Sequence, residues 1–139
     1  MQQSGSGASI VVFLVDIARY DRYPEDLVTN EMMGTMTMFE FIANSRLCSS
    51  AYPVVWFSNS RLFRSKAERF PLEDSFPDYT GGPNFENAVE YFTSRFRGLY
   101  RGGKDFFARG SEPEGDLLVR ELLSLANDVE VQRGLRSMI

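Results

Sequence analysis

The residues best placed to do chemistry follow the apolar run Pro53 to Phe57, where the chain reads Ser58, Asn59, Ser60 and Arg61 in succession. In nucleotide-binding α/β proteins the carboxyl end of a strand is where ligand contacts gather, because the crevice opens there. These four positions are therefore the first candidate site. A second candidate is "GLYRGGKD", Gly98 to Asp105, which matches G-x-x-x-x-G-K and misses only the final Ser or Thr. A phosphate loop has to follow a strand and open a helix, so that amides and the helix amino terminus face the phosphates. Here a helical pattern precedes it and a strand pattern follows, and Asp105 puts a negative charge where a Mg2+-binding hydroxyl belongs. A glycine-rich turn from helix to strand is expected instead.

Other chemistries are excluded by residue type. The chain has no histidine and one cysteine, Cys48, so zinc sites, Ser/His or Cys/His catalysis and an internal disulfide are ruled out. Neither a catalytic residue nor a metal site is assigned. Cys48 is expected as a small core residue, having no evident cationic neighbour. The acidic pairs Glu25/Asp26 and Glu73/Asp74 sit without an accompanying base or ligand and read as solvated loops. The methionines of "EMMGTMTM" are expected to pack a helix face.

The 139 residues fit one domain, with 43% apolar, 14% aromatic and 24% charged residues placing the chain among globular proteins. A net charge of −4 without a basic run argues against a nucleic-acid partner. The start "MQQSGSGAS" has neither a signal-peptide pattern nor a lipidation signal, and no apolar run reaches the length of a spanning helix. An intracellular, soluble protein is expected, with residues 1–8 as a flexible amino-terminal segment and residues 9–139 as the folded unit.

The elements that must position these residues follow from hydrophobic pattern. "IVVFLV", Ile10 to Val15, is β-branched and continuous, which predicts a parallel strand buried on both faces and ended by Asp16. Met32, Met36, Phe39 and Ile42 at three- and four-residue spacing predict a helix over about 29–43, capped by Thr29 or Asn30. Pro53 to Phe57 reads as the second strand and Leu62 to Arg69 as a short helix, followed by a Pro- and Gly-rich loop to Pro83. Asn84 with Asn87 opens a helix with Phe85, Ala88, Val89, Phe92 and Phe96 on one face. Lys104 to Ala108 is the third strand, and a closing helix carries Leu118, Leu122, Leu125 and Val129 on one side. The alternation β-α-β-α-α-β-α predicts an α/β fold with a parallel sheet of about three strands flanked by helices. So small a sheet leaves the first strand short of a partner, and an uncovered apolar edge is an aggregation template.

Several segments together resemble the carboxyl-terminal half of the heterotrimeric G-protein α subunit. "FLVDIARYDRYPEDLVTNEMMGTMTMFEFIANSRL" resembles that family's fourth strand, third switch and third helix, including Glu25, Asp26, Asn30, Met32, Phe39 and Ile42. "FPDYTGG", Phe76 to Gly82, resembles its F-P-x-Y-x-G loop, and "NFENAVEYFTSRFRGLY" the helix after that loop. The resemblance covers nearly everything from Ser9 onward and implies part of the P-loop-GTPase-type, Ras-like sheet.

It also implies roles for single positions. "FSNSRLF" takes the place of the guanine-reading N-K-x-D segment, with Ser58 for the Asn, Asn59 for the Lys and Arg61 for the Asp. The aspartate serves because guanine N1–H and its amino group are two parallel donors that a carboxylate accepts at once, whereas Arg61 only donates. The family's second base-contacting segment, T-C-A-T, aligns with Ala108, Arg109, Gly110 and Ser111, where only the Gly110 amide still suits the base. Glu31 and Gly34 replace the Arg and Glu that lock onto the second switch. GTP or GDP with Mg2+ is the ligand set of the family, and its partners are a G-protein-coupled receptor, an effector and the βγ dimer at the cytoplasmic face of the plasma membrane. By the same resemblance Asp78, Tyr79, Leu135, Met138 and Ile139 stand where receptor or effector is contacted. The resemblance begins after the phosphate loop, catalytic arginine and water-orienting glutamine of the family, which predicts no GTP hydrolysis by this chain alone. Three readings stay open: a non-catalytic interaction module, the carboxyl-terminal portion of an active GTPase, and a gene relic that self-associates through the Ile10 to Val15 edge.

Overall fold

The computed structural model describes residues 9–23 and 30–110, together with 120, 123–125, 127 and 128 in a helical segment. Three strands form one parallel sheet in the order β1 (Ser9–Asp16), β2 (Ala51–Ser58), β3 (Phe107–Gly110). Register is set by Val12 opposite Val54 and by Val54 opposite Phe107. Three helices of the described residues connect the strands: α1 (Glu31–Ala43), α2 (Ser60–Lys66) and α3 (Phe85–Leu99). The sequence order of strands and helices is as the hydrophobic pattern predicts.

Strand alternation splits the apolar residues between two faces. On one, Phe13, Val55, Phe57 and Ala108 meet α1 and α3 through an edge-to-face aromatic chain: Phe13 to Phe39 at 4.8 Å, Phe39 to Phe96 at 5.2 Å, Phe96 to Phe57 at 5.7 Å. Such contacts add about 1 kcal/mol each beyond the area they bury. On the other face Val54 and Trp56 are fully buried. Arg109 shares the Trp56 register and pairs with Asp128 at 3.2 Å, which draws the helical segment carrying buried Leu125 to this side.

Burial corrects the reading of the first strand. It is β2 that is buried on both faces from Ala51 to Phe57, while β1 has one strand neighbour among the described residues and leaves Leu14 61% exposed. An edge strand with one covered face cannot bury alternate side chains, however apolar the run. Asn30 caps α1, its Oδ1 accepting from the Met33 amide at 2.8 Å. Met32, Met36 and Phe39 are core residues as expected, but Met38 is 62% and Phe41 77% exposed. Cys48, expected inside, is half-buried in the 3-10 turn Arg46–Cys48.

Several boundaries shift, among them β2, which runs Ala51–Ser58, and the end of α2, which falls at Lys66. α2 starts at Ser60 rather than Leu62, because Asn59 takes up the left-handed conformation (φ 70°, ψ 39°) and turns strand into helix within one residue. β3 starts at Phe107 rather than Lys104, whose backbone N–H instead donates to the Tyr100 hydroxyl at 3.2 Å. The "GLYRGGKD" segment leaves α3 and leads into β3, opposite to the strand-then-helix order a phosphate loop needs. Thr29, Glu25, Asp26, Leu118, Leu122 and Val129 lie outside the described residues.

Candidate functional site at the strand ends

Gly110 stands opposite Phe57 in the β2–β3 register, so Ser58 to Arg61 and Gly110 gather at the same carboxyl end of the sheet. Asp16 ends β1 beside them, in register with Ser58. Asn59 is the hinge of this corner. Its side chain reaches across to Asp16, Nδ2 donating to Oδ1 and Oδ2 at 3.2 and 3.3 Å. Asp16 also accepts from the Ala18 amide at 3.0 Å, capping the 3-10 turn Ile17–Arg19, and from Arg19 Nε at 3.1 Å. Arg19 continues to Glu31 at 2.6 Å, and Arg22 stands 3.4 Å from the same carboxylate. Hydrogen bonds from the guanidinium to Glu31, and secondarily to Asp16, hold Arg19 above its ordinary pKa. The result is a polar ladder, Asn59–Asp16–Arg19–Glu31, that links both strand ends to the start of α1.

The other residues complete the corner. Ser58 Oγ donates to the Val15 carbonyl at 3.4 Å, Ser60 is buried and Arg61 is exposed. Gly110 packs directly against α3: a Cβ built there would lie 2.8 Å from Val89 Cγ2. A guanine seated in the family's manner needs two parallel acceptors where Arg61 offers only donors. Asp16, the carboxylate that ends β1, already accepts from three residues. The donor set therefore does not fit the base. Among the described residues no cluster of three acidic, cysteine or histidine side chains suits a metal ion.

The second group lies at the far side of α3. Tyr79 is buried and its hydroxyl donates to the Gly82 carbonyl at 2.7 Å, closing a loop in which Gly82 has φ 71°. Asn87 Nδ2 donates to the Gly81 carbonyl at 3.0 Å, pinning the loop to α3. Asp78 is exposed and accepts from the Tyr91 hydroxyl at 2.6 Å, a bond that lowers its pKa, while Arg95 donates to the same hydroxyl at 2.6 Å. Burial, then the bond to Asp78, pushes the Tyr91 phenol up to about 12. Of the two loop candidates, Asp78 presents its side chain to solvent and Tyr79 holds the loop's shape. Ser111, Leu135, Met138 and Ile139 lie outside the described residues.

Sequence pattern alone did not single out Asp16, Arg19 or Tyr91. The signal for Asp16 was there, an acid ending a strand two residues before an unpaired amide, but its link to Asn59 spans 43 positions.

A parallel sheet with helical cover and a polar corner at its strand ends defines an α/β protein of the Ras-like kind. The family profile described as G-protein alpha subunit matches residues 4–109, and the chain belongs to that family. It is 31% identical over 128 residues to the "Guanine nucleotide-binding protein alpha-1 subunit" of Mycosarcoma maydis, covering 91% of this chain and 36% of that protein. It is 30% identical over the same length to the "Guanine nucleotide-binding protein subunit alpha" of Cochliobolus heterostrophus, with the same coverage. The chain thus spans about a third of the length of the curated relatives it matches. No described helix is long and apolar enough to cross a membrane.

Proposed function

We propose that this chain is a non-catalytic, α-subunit-like interaction module that presents its surface to a receptor or effector and does not read guanine. The observation that carries this reading is the strand-end corner. Asn59 donates to Asp16, which Arg19 also engages, and a donor-only Arg61 stands where the base would call for a carboxylate. Unpaired guanine donors facing a guanidinium lose several kcal/mol, about a hundredfold or more in affinity. The docking surface in this reading is Asp78 with the loop shaped by Tyr79, together with the chain end at Leu135, Met138 and Ile139. The βγ dimer is a family partner that this reading does not need, and its cellular place is the cytoplasmic face of the plasma membrane. Titration with a fluorescent guanine nucleotide and Mg2+ tests the first half: no saturable signal is expected, and micromolar binding competed by GDP but not ADP would overturn it. Co-sedimentation with receptor-bearing membranes tests the second half, with Asp78→Ala expected to weaken it.

One observation favours a second reading, that the sequence is the carboxyl-terminal portion of a longer GTPase α subunit: it spans 36% of its relatives. Mapping the 5′ end of the native transcript separates the two. An open frame running upstream through G-x-x-x-x-G-K-[ST] supports the longer protein, and a start near Met1 supports the module.

A further inference from the structure

β3 pairs with β2 on one side and with no strand on the other among the described residues. Successive strand residues turn their N–H and C=O groups to opposite sides, so half of those in β3 face outward. α3 runs alongside that open edge. Between them lies a groove of about 420 Å³, lined by Phe85, Val89 and Phe106 and flanked by Glu90 and Arg97; two further charges in its lining are already paired, Glu86 with Arg64 and Arg109 with Asp128.

The charges of the groove are ordered. Gly110 lies against Val89, while the Arg97 guanidinium stacks 5.1 Å over the Phe106 ring, so α3 runs antiparallel to β3. Glu90 therefore sits toward the carboxyl end of the strand and Arg97 toward its amino end. Neither has an ion pair among the described residues, and both are exposed. A surface that is acidic at one end and basic at the other complements its own reversed copy. A two-fold axis supplies that reversal, whereas a parallel pairing sets like charges together.

We propose that this groove is a self-association surface. A second copy of the chain lays its β3 antiparallel against the first, making one six-stranded sheet, with Glu90 of each copy facing Arg97 of the other. The edge hydrogen bonds give affinity, Val89 and Phe106 bury the apolar lining, and the charges fix direction. The other open edge, β1, carries no charge from Ser9 to Val15, so nothing there selects a direction or a partner.

Sedimentation equilibrium of the full chain from micromolar to millimolar concentration is expected to show a monomer–dimer equilibrium. Glu90→Arg alone and Arg97→Glu alone each weaken it about tenfold, since two ion pairs become like-charge contacts. An equimolar mixture of the two variants restores both pairs, as does the double variant, and this recovery also shows that each variant is folded. A chain monomeric throughout, or a mixture no tighter than its components, overturns the proposal. So does association that survives both reversals and disappears in Val12→Lys, which would place it at β1.

Discussion

Lys66 Nζ donates to Asp21 Oδ1 at 2.6 Å and to the Ala18 carbonyl at 2.9 Å, fastening α2 to the turn that follows β1. The ammonium also lies 5.1 Å over the Tyr20 ring. Both partners are mostly shielded, with 16% and 25% of their side chains accessible, so the pair is stronger than a surface bridge. Removing one partner leaves the other charge poorly solvated. Lys66→Met, which preserves volume, is expected to lower unfolding stability by about 2 kcal/mol in urea denaturation. A double-mutant cycle with Asp21→Asn should return a coupling of about 1 kcal/mol; a coupling near zero would mean that the geometry carries no energy.

Asn59 combines a left-handed backbone with a bond to a carboxylate, and the two contributions separate by substitution. Asn59→Ala loses the polar side chain that lets Asn tolerate that conformation, and with it the Asp16 contact, so a loss of about 2 kcal/mol is expected. Asn59→Gly loses the same contact but gains freedom at φ 70°, and should fall within about 1 kcal/mol of the wild type. Equal losses in thermal or urea unfolding would show that the backbone conformation is not what requires this residue.

How far the sequence reaches is seen in these same elements. The spacing of Phe85, Ala88, Phe92 and Phe96 gave α3 and its buried face, because a 3.6-residue period is a local property of the chain. The run Ile10 to Val15 gave a strand but not its surroundings, since apolar content does not reveal how many neighbours a strand has. Ser58 to Arg61 and Gly110 were grouped by the resemblance alone, and the register of the parallel sheet sets Gly110 opposite Phe57. The ladder from Asn59 through Asp16 to Glu31 stayed hidden because its members are ordinary polar residues, united only by the register of β1 with β2. Asn59's left-handed turn was hidden for a related reason: Asn tolerates it but does not demand it.

Gly110 is expected to resist enlargement because of what stands beside it, not because of its own torsion angles. Val89 is β-branched and stiff, so a Cβ only 2.8 Å from its Cγ2 forces α3 and β3 apart. Gly110→Ala should lower stability by about 1–2 kcal/mol. Val89→Ala makes room, so the double variant should recover part of the loss relative to Val89→Ala alone. If Gly110→Ala is harmless by itself, the close approach does not hold in solution.

Tyr20 sets the alkaline limit. It is fully buried, its hydroxyl donates to the Phe70 carbonyl, and burial, followed by the nearby Asp21, Asp74 and Glu73 charges, pushes its pKa up to about 12. An unfolded tyrosine ionises near 10. A folded pKa above the unfolded one means that the contribution to stability is complete below pH 10 and is lost as pH rises toward 12. The full loss attributable to Tyr20 is about 3 kcal/mol, most of it reached by pH 11.5. Urea midpoints measured between pH 9 and 11.5 should therefore fall at the upper end for the wild type and fall less for Tyr20→Phe, which cannot ionise. The phenolate absorbance of the folded wild type should lag behind that of a free tyrosine over the same interval. Identical pH profiles for the two proteins would show that the Tyr20 hydroxyl is not sequestered, and that the core reaches less far around the β1–α2 corner than these contacts imply.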